Sequence, residues 1–125
     1  MADRPTKVLF VGHGAERTGP PIGLLHLLRW IHANTDLSFE VLLLEGGVLV
    51  PEYERLAPTW VLEESRLPRL AVLGQVLAGW GLRRVGERLR LAGYRRRLRG
   101  VRDVGVVYVN SAWCIRALRY LDVQD

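Results

Sequence analysis

The residues best placed to do chemistry lie in one short loop. Gly12-His13-Gly14-Ala15-Glu16-Arg17-Thr18-Gly19-Pro20-Pro21 follows an apolar run and precedes a segment with helical spacing. A glycine-rich turn that enters a helix can present free backbone amides and the positive end of the helix dipole, an arrangement suited to phosphate and other anions. Pro21 disfavours helical geometry at Pro20, so the helix is expected to begin at Pro21. The amides of Ile22 and Gly23 would then form the anion site, with Thr18 and Gly19 as its floor. A purely geometric reading stands beside this one: Gly12, Gly14 and Gly19 permit a sharp turn, and the proline pair stiffens it. The loop also opens like a dinucleotide fingerprint, but Arg17 occupies the place of the third glycine. Glu45, the candidate ribose-binding acid, lies 31 residues after Gly14, where the fingerprint needs about 20.

The other reactive side chains make no catalytic constellation. His26 and His32 are six residues apart and do not share a helix face as metal ligands four apart would, so they read as surface residues and no metal site is expected. Ser111 reads as a helix N-cap and Cys114 as core. Glu63-Glu64 and the pair Glu52 and Glu54 read as solvated charges.

A second feature is the charge distribution. Between Arg83 and Arg102 stand nine Arg and one Glu, a local charge of +8, so the rest of the chain carries −3 of the overall +5. Arg88, Arg95, Arg96, Arg97 and Arg99 sit beside Leu89, Leu91, Tyr94 and Leu98. That pattern suits either a basic amphipathic surface for anionic lipid or a phosphorylated acceptor, or a solvated helix face whose Arg stems cover apolar surface. Nucleic acid is not expected as a partner, because no binding motif surrounds the patch.

The elements that must position these residues follow from periodicity. Lys7–Gly12, Phe39–Leu44 and Val104–Val109 are short apolar runs rich in β-formers, as buried parallel strands are, and Thr59–Leu62 is a shorter fourth. Pro21–Ala33 has helical spacing, with Ile22, Leu24, Leu25, Leu28 and Ile31 on one face. Leu67–Arg102 reads as two or three helical pieces, broken by Gly74, Gly79, Gly81, Gly86 and Gly93. Ser111 caps a last helix whose inward stripe is Cys114, Ala117, Leu118 and Leu121. The fold class is therefore α/β, a single domain over residues 1–125 with a mostly parallel sheet of about four strands. An uncovered edge of so small a sheet would permit self-association.

Composition agrees. The 125 residues are 49% hydrophobic and 25% charged, enough to bury one core and too few for two domains within this chain. One Cys excludes a disulfide framework and a Cys-rich zinc site, and makes a cytoplasmic setting the default. No run reaches membrane-spanning length, and MADRPTK has no apolar signal core.

Residues 7–31, KVLFVGHGAERTGPPIGLLHLLRWI, resemble the opening of retaining glycosyltransferases of the GT-B type, family 4 (the group 1 transferases). Bacterial members have a hydrophobic strand, a Ser/Gly-His segment, an aERTGAP-type loop and an LLxLLRWL helix. Residues 42–62, LLLEGGVLVPEYERLAPTWVL, are similar to the family's next strand, Gly-Gly-x-Leu turn and further strand. Residues 106–112, VVYVNSA, are similar to its strand ending in Asn followed by Ser or Thr. Residues 63–103 carry none of the resemblance.

The resemblance implies a Rossmann-like three-layer domain, the acceptor-side half of an enzyme with two such domains facing across a cleft. Gly14, Thr18 and Gly19 would lie at that cleft, where backbone can approach the donor's phosphates or sugar. His13, Glu16, Arg17 and Asn110 would contact the acceptor or a sugar. The partners implied are a nucleotide-sugar donor and a glycan or lipid-linked acceptor, with no further cofactor and, at most, peripheral contact with an anionic membrane. Pro20 stands where many relatives have Ala. The family's two Glu separated by seven residues belong to the C-terminal half and have no counterpart here. The 125-residue chain would then be inactive by itself. Two further readings remain: a stand-alone nucleotide- or dinucleotide-binding module, and a non-catalytic interaction domain that uses the Arg-rich segment.

Overall fold

The computed structural model describes residues 7–63, 73, 76–77 and 79–121. The elements run β1 (Lys7–Gly12), α1 (Gly19–Asn34), β2 (Phe39–Leu43), α2 (Val50–Glu54), β3 (Thr59–Val61), α3 (Arg83–Arg97), β4 (Val104–Val109) and a terminal 3₁₀ helix (Ala112–Arg119). All strand pairs are parallel, in the order β3-β2-β1-β4. Val8 aligns with Phe39 on one side and Val106 on the other, and the register shifts between Lys7 and Val8.

Alternation along the strands divides the core between the two faces of the sheet. On one face Phe10, Phe39, Val41 and Leu43 pack against Leu24, Leu28 and Ile31 of α1 and Tyr53 of α2. On the other, Leu9, Val11 and Leu42 pack against Tyr94 and Leu98 of α3 and Cys114 of the 3₁₀ helix. Layers on both faces of a parallel sheet make this a Rossmann-like three-layer α/β fold. Each fully buried Leu contributes roughly 1.5–3 kcal/mol, so both faces are needed to hold the central strand β1.

Three local expectations are corrected. Helix α1 begins at Gly19, not Pro21, with Thr18 extended before it (φ −129°, ψ 173°). First-turn residues need no N–H, so both prolines are accommodated within the helix. Helix α3 runs unbroken through Gly86 and Gly93, both buried. They sit seven apart on one buried face of the helix, which forms despite their propensity cost of about 1 kcal/mol each. A break does occur earlier, at Gly81 (φ +88°). There the Leu82 amide donates to Leu77 O at 3.0 Å and closes a Schellman-type end. Residues 67–72 and Gly74 of the expected helical segment lie outside the described residues. Finally, the last helix is 3₁₀, and Leu118 is exposed while Cys114, Ala117 and Leu121 are buried. With three residues per turn, positions 114 and 117 eclipse and 118 rotates off the face. Ser111 occupies the cap position without a side-chain cap bond, its carbonyl accepting from Cys114 N at 2.9 Å.

Candidate functional site

The chain leaves β1 toward one face of the sheet and leaves β4 toward the other, so a crevice opens between their carboxyl ends. In doubly wound sheets this switch point is where ligands bind. The loop after β1 is fixed there from two sides. The β2–α2 loop binds it through backbone, with Leu44 N on Gly12 O (3.0 Å), Glu45 N on His13 O (2.8 Å) and Leu49 N on Ala15 O (2.8 Å). Gly47 makes this possible: a Cβ there would lie 2.4 Å from the Ala15 carbonyl carbon and oxygen. From the other side, Asn110 Nδ2 donates to Pro20 O at 3.2 Å, and its backbone N donates to Val11 O.

The start of α1 is tied down beneath as well. Tyr53 is fully buried, and its hydroxyl donates to Pro21 O at 2.5 Å. Burial pushes that hydroxyl up from 10.0 to about 12, so it remains a donor throughout the neutral range. Gly12 supplies the close strand–helix approach that a third glycine serves in dinucleotide folds. A Cβ on it would meet Leu24 and Leu43 at 3.2 Å.

The structure brings some of the sequence-derived residues together and leaves others apart. His13, Gly14 and Asn110 line one small cavity with Gly12, Pro20 and Ser111. Its volume is about 20 Å³, room for a water rather than a sugar. Gly14 is buried, but a Cβ on it would make ordinary contacts of 3.7 Å with Glu45. Glu16, Arg17, Thr18 and Gly19 are exposed and outside that cavity, in a tight turn where Thr18 N donates to Glu16 O at 2.8 Å. A Cβ on Gly19 would meet nothing within 4 Å.

The amide supply at the helix start is poor. Ile22 N donates to Thr18 O at 3.1 Å, and Pro20 and Pro21 have no N–H. The first turn therefore presents one amide, that of Gly19, instead of the Ile22 and Gly23 pair expected from the sequence. A phosphate cradle of several converging N–H groups is not built here.

The arginines divide too. Arg88, Arg95, Arg96 and Arg99 line an open groove of about 1140 Å³ between α3 and the start of β4. Arg97 turns the other way: its guanidinium donates to Leu62 O at 2.6 Å and fastens α3 to the segment after β3. This groove lies toward the amino end of β4, away from the crevice.

No metal-ligand cluster of three His, Cys, Asp or Glu occurs among the described residues. His26 and His32 are exposed on α1, and Glu52 holds Arg29 at 2.8 Å. The Gly46-Gly47 turn and Tyr53 belong to the second resembling segment, but the sequence did not assign them the support of the loop after β1; the glycine pair was the available signal for a close backbone approach. Among the described residues no helix is long and apolar enough to cross a membrane. No family model, curated protein or solved structure matches the chain.

Proposed function

We propose that this chain is the acceptor-side, N-terminal Rossmann-like domain of a retaining nucleotide-sugar glycosyltransferase, acting on a glycan or lipid-linked acceptor. The observation that carries the reading is the junction at the switch point, where Asn110 at the end of β4 holds the loop after β1 through Pro20 O. The three segments that resemble the transferases meet at this place. The first contributes the loop, the second the Gly47 support beneath it, and the third Asn110.

The prolines of α1 favour this reading over a dinucleotide-binding module. A dinucleotide's pyrophosphate needs several amides at the first helix, and this turn offers one. A rim of backbone and one amide side chain suits an uncharged sugar better, since it supplies directional hydrogen bonds without a fixed charge. In such a site this domain would contribute positioning, while stabilisation of the departing phosphate would come from the second domain.

The open edge of β4, with Val106 and Tyr108 exposed, is where further sheet from a longer enzyme, or a second copy, would add. A cytoplasmic setting fits the buried free thiol of Cys114.

Calorimetric titration with NAD⁺, NADP⁺, UDP-glucose and GDP-mannose, together with a radiolabelled sugar-transfer assay, tests the proposal. The chain should bind neither dinucleotide tightly and should transfer no sugar unaided. Tight NAD⁺ or NADP⁺ binding would replace it with the dinucleotide module, and efficient transfer by the chain itself would remove the acceptor-side assignment.

A further inference from the structure

The Arg-lined groove is an open concavity of about 1140 Å³ that takes no part in the crevice. Its arginines come from helical spacing: Arg88, Arg95 and Arg99 fall on one stripe of α3 and its exit, with Arg96 beside them, and Arg102 joins from the turn before β4. Asp103 is the one acidic residue on the lining. The ion pairs Lys7–Glu40, Arg29–Glu52 and Arg55–Glu52 involve none of the five, while Arg95 Nε donates to Arg119 O and Arg102 Nε to Arg99 O, both at 3.3 Å.

Helix electrostatics accounts for part of this charge, because cations near a helix carboxyl end complement its dipole. Arg95 and Arg96 stand in that last turn. Arg88 stands two turns earlier, and Arg99 and Arg102 lie beyond the helix end, so the dipole does not explain them. The groove's floor is apolar, formed by half-buried Leu91, Val101, Val104 and Val107 with Tyr120 at its side. A solvated basic helix face needs no such floor.

Trp80, Leu82 and Val85, which precede the arginine stripe in the chain, are 77%, 49% and 46% exposed. Val85 and Arg88, three apart, share a helix face. An exposed Trp with large aliphatic neighbours beside a basic stripe is the composition of an element that lies in a membrane interface.

We propose that the groove docks the phosphate head of an anionic phospholipid presented by a membrane. The arginines take the phosphate, the apolar floor takes the first methylenes, and Trp80 with Leu82 and Val85 seats at the interface. This rests on the groove alone and stands or falls independently of the glycosyltransferase reading.

Co-sedimentation of the 125-residue chain with vesicles tests it, using phosphatidylcholine alone and phosphatidylcholine mixed with phosphatidylglycerol. Binding should require the anionic lipid and weaken as salt rises. The exposed double variant Arg96→Gln/Arg99→Gln should bind roughly 25-fold more weakly, at about fivefold per arginine removed. Arg29→Gln/Arg55→Gln removes the same charge elsewhere and should change binding by less than about twofold. Circular dichroism checks that all variants keep the parent's fold. Equal binding to neutral vesicles, or equal losses in the two double variants, would overturn the proposal. So would saturable binding of inorganic phosphate or duplex DNA without vesicle binding.

Discussion

Gly47→Ala should destabilise the domain more than its single added methyl suggests. The new Cβ would lie 2.4 Å from the Ala15 carbonyl carbon and oxygen and 2.7 Å from Glu16 N. All three are backbone atoms, so no side-chain rotation relieves the contact. The loop after β1 must move, and overpacking of this kind costs about 1–3 kcal/mol. The same movement breaks or stretches the 2.8 Å bond from Leu49 N to Ala15 O, worth roughly 0.5–1.5 kcal/mol. The sum is about 1.5–4.5 kcal/mol. For a chain of this size that lowers the melting temperature by about 6–18 °C. Urea unfolding followed by circular dichroism measures the free energy directly, and amide exchange should show lost protection at Leu49. A Gly47→Ala variant within about 0.5 kcal/mol of the parent would refute the idea that the two loops are locked through this backbone contact.

Gly23→Ala provides the contrast, because its added methyl meets nothing within 4 Å and the residue is exposed inside α1. It should stabilise the protein by about 0.4–1 kcal/mol in the same urea experiment, chiefly by restricting the unfolded chain. Asn110→Ala removes the donor to Pro20 O and should cost about 0.5–1.5 kcal/mol. Asn110→Asp should cost at least as much, since the carboxylate cannot donate there. Tyr53→Phe removes the bond to Pro21 O and should cost about 1 kcal/mol in thermal unfolding. Tyr53 also makes stability depend on alkaline pH. Its folded value of about 12 exceeds the ordinary 10.0, so its contribution is complete below pH 10 and is lost as pH rises through 12. Ultraviolet titration of the phenols should therefore show one of the four tyrosines ionising late, and that step should vanish in Tyr53→Phe.

The strands were legible as unbroken β-branched and Leu-rich runs, although VGVVYV, expected to be buried, forms the sheet edge with Gly105, Val106 and Tyr108 exposed. KVLFVG and VGVVYV have no competing helical reading. The start of α1 was misread because the rule for a residue before proline was weighed above the tolerance of a helix's first turn, where missing N–H groups cost nothing. Leu118 was misplaced because a four-residue spacing was assumed for a helix that winds at three. The glycines of α3 read as breaks because propensity counts their cost, while tertiary burial of that face holds the helix through Gly86 and Gly93.

For the site, the glycines and prolines named the loop and the resemblance named Asn110, but neither said that they touch. Contacts such as Asn110 to Pro20 and Tyr53 to Pro21 span 90 and 32 residues, and only the topology brings them together. Gly47 could have been suspected from the doubled glycine, whereas the division between Arg97 and the four groove arginines depends on the rotation of α3 about its axis.

The most direct test of the acceptor-side assignment is a map of ¹⁵N amide shifts in the 125-residue chain. The probes would be a panel of saccharides and short-chain lipid-phosphate saccharides, with NAD⁺ as the counter-probe. The account predicts perturbations from a saccharide probe centred on His13, Gly14 and Asn110, with NAD⁺ leaving those amides unmoved. Tight NAD⁺ binding at the same three residues, or saccharide shifts confined to surfaces away from the crevice, would contradict it.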